Sequence, residues 1–286
     1  MPTWRNAAAR VWNGWKRRRV LSWFRPGAIV KNRYTIVKAI GEGSYGLAYL
    51  CKDRRAGDRL CVLKHVQPLR GGAVRTEAVY SLETAMLERL DHPAVPRLID
   101  RFRYRGAYCF AMEYVPGLSL EKLLFEEERT FDEAEALSLL RRLLDVVADV
   151  HAAGIVHRDI RIANVILDGD RVSLIDFGLA RDLRPGAPDP VPDDVADDDP
   201  MEKKLRRRVD VSSDFYAMGH LLLFLLYSSY PEAREERSWE EELSTLDPNT
   251  KRLLRRSLMT EQPYASAEEM RLDVDAAIRS CGGSGS

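Results

Sequence analysis

Between Tyr34 and about Tyr114, apolar and polar residues alternate in short runs: "YTIVKAI", "LAYLCKD", "RLCVLKHV", "RFRYR" and "YCFAMEYV". Alternation with a period of two over such lengths predicts strands. One helical stretch interrupts them, "RTEAVYSLETAMLERL" at 75–90, closed by Asp91-His92-Pro93. After Pro116-Gly117 the period changes. "TFDEAEALSLLRRLLDVVADVHAAG" sets Leu140, Leu143, Leu144, Val147 and Val150 at helical spacing. A capping box from Thr130 to Glu133 is expected to open that helix, and Gly154 to stop it. Residues 182–200, rich in Pro and Asp, predict an extended loop, and helices resume from about 212 to about 280. The pattern divides the chain into a prefix (1–33), a small β-rich lobe (34–115), a larger helical lobe (116–280) and a flexible tail (281–286) that reads as a linker scar. A cleft between two lobes is a favoured ligand site.

The 286 residues, 45% apolar and 31% charged, fit a globular protein. Zero net charge hides an asymmetry. Residues 1–25 carry seven basic residues and no acid, leaving 37 basic against 44 acidic residues beyond them. That prefix interleaves Trp4, Trp12, Trp15, Trp23 and Phe24 with its cations. Three readings are open: packing on the small lobe, attachment to an anionic membrane surface or another protein, or a transit peptide. No nucleic-acid partner is expected. Cys51, Cys61, Cys109 and Cys281 show no paired spacing, which argues against a zinc site or a disulfide framework. "HLLLFLLY" at 220–227 is too short to span a bilayer. The expectation is a cytoplasmic protein, peripheral at a membrane if the prefix binds one.

The candidate chemistry starts with "GEGSYG" at 41–46, a G-x-G-x-x-G that a dinucleotide-binding fold would follow with a helix. Here Leu47, Tyr49 and Cys51 alternate instead, so the glycines read as a hairpin tip able to lie over phosphates. Lys64 ends the strand "CVLK", and Glu83 lies nineteen residues on in the helical stretch. Alone, each is an ordinary surface residue; together they supply a cation for phosphates and an anion to hold it. In "HRDIRIANVILDGDRVSLIDFG" (157–178), Asp159, Asn164 and Asp176 form a set of oxygen donors suited to a hard cation.

These marks, in this order, resemble the eukaryotic-type (Hanks-type) protein kinases, in particular compact bacterial serine/threonine kinases, from about residue 34 to 280. The resemblance implies an α+β fold: a small antiparallel β-rich lobe with one main helix, and a larger mainly helical lobe. It implies ATP with Mg²⁺, or Mn²⁺ in its place, and a protein substrate. Backbone N–H groups from Gly41, Gly43 and Gly46 would cover the phosphates, and Lys64, held by Glu83, would bind them. Ala48, Val62 and Ile166 would touch the base. Met112 would back the adenine pocket, while Glu113 and Val115 would offer backbone groups. Asp159 would take the acceptor proton, Arg161 neutralise the transferring phosphate, and Asn164 and Asp176 hold metal. Asp214 would brace the catalytic loop.

The departures matter too. Ala48 and Val62 stand where the family usually has Val and Ala, a volume-conserving exchange. Arg161 replaces a common lysine, which leaves acceptor specificity open, Ser/Thr being favoured over Tyr. From Leu179 to Val211 there is no Ser, Thr or Tyr, so phosphorylation there cannot switch the enzyme. Arg158, which in relatives meets an activating phosphate, faces six aspartates of that segment in sequence: Asp189, Asp193, Asp194, Asp197, Asp198 and Asp199. One or two of them are expected to replace the phosphate, against the plainer reading of a solvated acidic loop. Glu202 stands where the family anchors its peptide-docking wall, but Tyr264 falls where the arginine partner is expected. "KKLRRR" (203–208) reads as a solvated face, an acidic-substrate contact or a partner for the aspartates. A small-molecule phosphotransferase and a non-catalytic scaffold remain as alternatives to a protein kinase.

Overall fold

Strand alternation decides what each face of the first sheet carries. In the computed structural model, which describes residues 22–43, 46–66, 72–186, 199–230 and 238–283, six strands pair antiparallel in the order β1-β2-β3-β4-β6-β5. They are β1 (Ile29–Val30), β2 (Tyr34–Gly43), β3 (Gly46–Asp53), β4 (Arg59–Val66), β5 (Leu98–Tyr104) and β6 (Ala107–Glu113). Leu47, Tyr49, Cys51, Cys61, Leu63, Cys109 and Ala111 share one face and form a buried core with Tyr34, Ile36 and Phe102. The intervening residues Ala48, Val62, Lys64 and Met112 therefore point to the opposite face.

The end of the prefix belongs to this core. Phe24 is buried, with its ring stacked on Tyr49 at 5.1 Å and tilted against His65 at 5.0 Å. Burial pulls the His65 imidazole down to about 4, so a neutral ring faces Phe24 at pH 7. Gly27 N–H donates to the Ile36 carbonyl, and Ile36 N–H to that of Ala28, which zips the segment onto β2. Trp4, Trp12 and Trp15 lie outside the described residues.

Contacts divide the chain into two compact units. The first ends at Tyr80 and takes in Leu98–Tyr114; the second holds Ser81–Arg97 and resumes at Val115. The boundary passes through helix α1 (Gly72–Arg89). The second unit is mainly helical: α2 (Leu120–Phe125), α3 (Glu133–Ala152), α4 (Met201–Arg206), α5 (Ser212–Tyr227), α6 (Trp239–Glu242), α7 (Pro248–Ser257) and α8 (Ala267–Gly283). Short strands β7 (Leu118–Ser119), β9 (Val165–Asp168) and β10 (Arg171–Leu174) form one small sheet, and β8 (Ile155–Val156) pairs with β11 (Arg181–Asp182). Gly117 permits the entry to β7: its φ is +110°, and a Cβ there would sit 2.4 Å from the Leu167 carbonyl oxygen.

Two local expectations are corrected. The capping box of α3 is Asp132 with Glu135, two residues beyond Thr130 and Glu133. Both pairs have the box spacing, but starting at Asp132 leaves Phe131 as the preceding residue, buried at 1% exposure. Its N–H donates to Ser228 Oγ, so packing chooses the register. Helical structure also resumes before 212, since α4 occupies part of the basic run. The apolar stretch 220–227 lies in α5, which buries Leu221, Leu222, Leu225 and Leu226. Among the described residues no helix is long and apolar enough to cross a membrane.

Candidate active site

In the first unit, the glycine loop is a hairpin whose strands pair Gly41 with Ala48 and Gly43 with Gly46. Gly46 is required there, since a Cβ would lie 2.4 Å from the His65 carbonyl oxygen. Lys64 sits opposite Ala48 on one side and Phe110 on the other, is buried, and holds Nζ 6.0 Å from the Phe110 ring. A buried ammonium is costly to desolvate and calls for anionic company. Val62 and Met112 are directly paired neighbours, both buried, and Glu113 lies beside Arg59 at 3.8 Å.

In the second unit, Glu83 is buried on α1, and Val115 is half-buried where the chain leaves the first sheet. Arg89, in the last turn of α1, clamps Asp182 at 2.5 Å and the Ala153 carbonyl at 2.6 Å.

The loop 157–164 is held from below by one carboxylate. Asp214, fully buried at the start of α5, accepts from the backbone N–H of Arg158 at 2.7 Å and of His157 at 2.9 Å, and meets His151 Nε2 at 2.8 Å. Burial alone would raise its pKa. The His151 hydrogen bond and charge, with the His157 contacts, outweigh that and hold it below the ordinary carboxylate range. The scaffold lets Arg158 and Asp176 adopt left-handed backbone, with φ of +64° and +65°. Such strain in side-chain-bearing residues costs about 1–3 kcal/mol each and concentrates at functional sites.

Asp159 and Asn164 are brought together directly. Asn164 Nδ2 donates to the Asp159 carboxylate and carbonyl, both at 2.9 Å, while Asp159 N–H donates to His157 Nδ1 at 3.2 Å. The His157 ring packs edge-on against Phe177 at 4.6 Å, so it supports the loop. Ile175 N–H donates to the Asn164 carbonyl, which ties the residue before Asp176 to this pair. Burial raises the Asp159 pKa; nearby His157 and Arg207 pull it back, and Asp176 adds to the rise. Ile166 is half-buried on β9, and Arg161 is exposed, with its guanidinium 4.0 Å from Glu121.

Two participants were not legible in the sequence. Arg207 donates to the Arg158 carbonyl at 2.9 Å and stands 3.7 Å from Asp159 Oδ1. His151 is the Asp214 partner. Arg158 itself donates to the carbonyls of Arg207 and Leu179. Of the six aspartates, one or two of which are expected to replace the phosphate, Asp189, Asp193, Asp194, Asp197 and Asp198 lie outside the described residues, and Asp199 pairs with Lys203 at 2.7 Å. Glu202 is exposed and accepts from Arg206 one turn along α4 at 3.0 Å. Tyr264 packs under Arg256, and both bind Asp273. Among the described residues, no cluster of three or more His, Cys, Asp and Glu could hold a metal. The carboxylate of Asp176 and the amide oxygen of Asn164 are donors of the kind a hard divalent cation takes when it keeps several waters and relies on substrate phosphates.

The chain belongs to the protein kinase family: residues 34–272 match the family model described as protein kinase domain. It is 35% identical over 255 residues to the probable serine/threonine-protein kinase YbdM of Bacillus subtilis, covering 89% of this chain and 93% of that protein. Serine/threonine-protein kinase D of Synechocystis is 28% identical over 275 residues, covering 88% of this chain but 53% of the relative. The chain thus spans nearly all of the first relative and about half of the second. The solved kinase domain of PknI from Mycobacterium tuberculosis has the same fold, with a TM-score of 0.65 at 24% identity over 88% of this chain and 98% of that one. The fold is α+β, and the chain is an ATP-dependent phosphotransferase of the protein kinase class.

Proposed function

We propose that the protein transfers the γ-phosphate of ATP to serine or threonine hydroxyls of protein substrates. The observation that carries this reading is the Asp159–Asn164 pair, hydrogen-bonded on a strained loop that buried Asp214 holds in place. Asp159 orients the acceptor hydroxyl and takes its proton. Asn164 and Asp176 hold Mg²⁺, or Mn²⁺ in its place. When bound, the ion neutralises phosphate charge and orients the leaving group. Lys64 holds the α and β phosphates. Backbone N–H groups from Gly41 to Gly46 cover them. Ala48, Val62, Met112 and Ile166 supply apolar contact for adenine, and the backbone at Glu113 and Val115 its hydrogen bonds.

Activity needs no phosphate on the segment after Gly178. That segment has no hydroxyl side chain before Ser212, and its own carbonyls at Leu179 and Arg207 accept from Arg158. Acid hydrolysis of lysate proteins labelled by the purified chain tests the acceptor. Phosphoserine and phosphothreonine are expected; phosphotyrosine alone, or label confined to small molecules, would refute the proposal.

A further inference from the structure

Beside Asp159, wholly within the second unit, lies a cavity of about 450 Å³ walled by α2, the loop 158–162, the end of α4 with Arg207, and α5. Its charge is lopsided. Among the described residues, Arg158, Arg161, Arg206 and Arg207 line it against two carboxylates, Asp159 and Glu121. These arginines are not equally committed. Arg158 is buried and donates to carbonyls, Arg207 serves Arg158 and Asp159, and Arg206 holds Glu202 at 3.0 Å.

Arg161 differs. Its side chain is 55% exposed, and its neighbour Glu121, 49% exposed, stands 4.0 Å away, beyond hydrogen-bond reach. Such a loose surface pair contributes little, so a better-placed carboxylate can displace it at small cost. A guanidinium also offers a rigid fork of donors matched to a carboxylate.

The cavity has an apolar component as well. Phe125 on α2 and Phe224 on α5 line it while remaining 67% and 50% exposed. Exposed aromatics facing a shared cavity are the ordinary anchors of a peptide contact.

Building on the protein-kinase reading above, we propose that this groove selects acidic peptide substrates. An Asp or Glu near the acceptor residue binds Arg161, and an aromatic or aliphatic side chain of the same peptide packs on Phe125 and Phe224. Charge complementarity names the occupant: a basic groove with apolar walls beside the acceptor-binding carboxylate repels a Lys- or Arg-flanked peptide.

The test uses the full chain and synthetic peptides sharing one Ser and one Phe, with Asp, Asn or Lys beside the Ser. Expected is an Asp-over-Asn ratio in kcat/KM of about tenfold, the worth of one charge-assisted hydrogen bond, with Lys lower still. The same ratio is read in Kd from analogues carrying Ala for Ser, so variants too slow to assay remain informative. Arg161→Gln should bring the Kd ratio near one, whereas Phe224→Ala should weaken all three peptides and keep the ratio. Equal or tighter binding of the Asn or Lys peptides, or an unchanged ratio in Arg161→Gln, overturns the proposal while leaving the kinase intact. Preserved Asp preference in Kd with no phosphate transfer to any Ser peptide would instead overturn the kinase reading.

Discussion

Arg158 and Arg207 each donate a guanidinium hydrogen bond to the other's backbone carbonyl, both at 2.9 Å. This reciprocal clasp joins the loop carrying Asp159 to the chain just beyond α4, and Arg207 also faces the Asp159 carboxylate. Arg207→Ala removes one half of the clasp and a neighbouring positive charge. The expected result is a kcat on the order of ten- to a hundredfold lower, as for a base misplaced by a fraction of an ångström to an ångström, with little change in the KM for ATP. Steady-state kinetics with one peptide substrate checks this; unchanged kcat would make the clasp ornamental.

The pH profile gives a second reading of the same contact. Burial raises the Asp159 pKa, so the acid limb of kcat/KM should lie above the ordinary aspartate range. A positive neighbour favours the ionised base, so Arg207→Ala should move that limb to higher pH. A limb that stays put, or moves down, would contradict the assignment of Asp159 as the base.

Asp214 should be the most costly single carboxylate in the second unit. Asp214→Ala strands the N–H groups of His157 and Arg158, and losing such a buried charged partner costs about 3–5 kcal/mol. Because the Asp214 pKa is depressed in the folded chain, its contribution is complete above the unfolded value, near 4. The difference between wild type and Asp214→Ala in urea unfolding should therefore shrink as pH falls below that value. A constant difference across that range would refute the assignment.

Phe24 anchors the described end of the prefix to the first sheet. Phe24→Ala empties a buried ring site between Tyr49 and His65, which typically costs about 3–5 kcal/mol, and should lower the denaturant midpoint accordingly. Equal midpoints for the Phe24→Ala variant and wild type would contradict the packing.

What could be read from sequence follows from how each feature is encoded. The strands of the first sheet were legible because alternation is local, and β4 occupies the very run "RLCVLKHV". Asp159, Asn164 and Asp176 were legible as a group through fixed spacing along one loop and hairpin. Arg207 was not: in sequence it is one of five cations in "KKLRRR", and its partners are Arg158, 49 residues earlier, and Asp159. Nothing local separates a clasping arginine from a solvated one. Phe24 was hidden similarly, since a lone aromatic after a Trp-rich basic stretch shows no strand or helix period. The capping residue of α3 was ambiguous because two boxes overlap, and only the burial of Phe131 selects between them.

The most direct measurement is transfer of label from γ-³²P-ATP to protein by wild type and Asp159→Ala, with magnesium present and with it chelated. Metal-dependent labelling of protein is expected for wild type, reduced by about 10²–10⁴ in the variant. Equal labelling by both proteins, or nucleotide binding with no transfer by wild type, would contradict the assignment of this site as a working kinase centre.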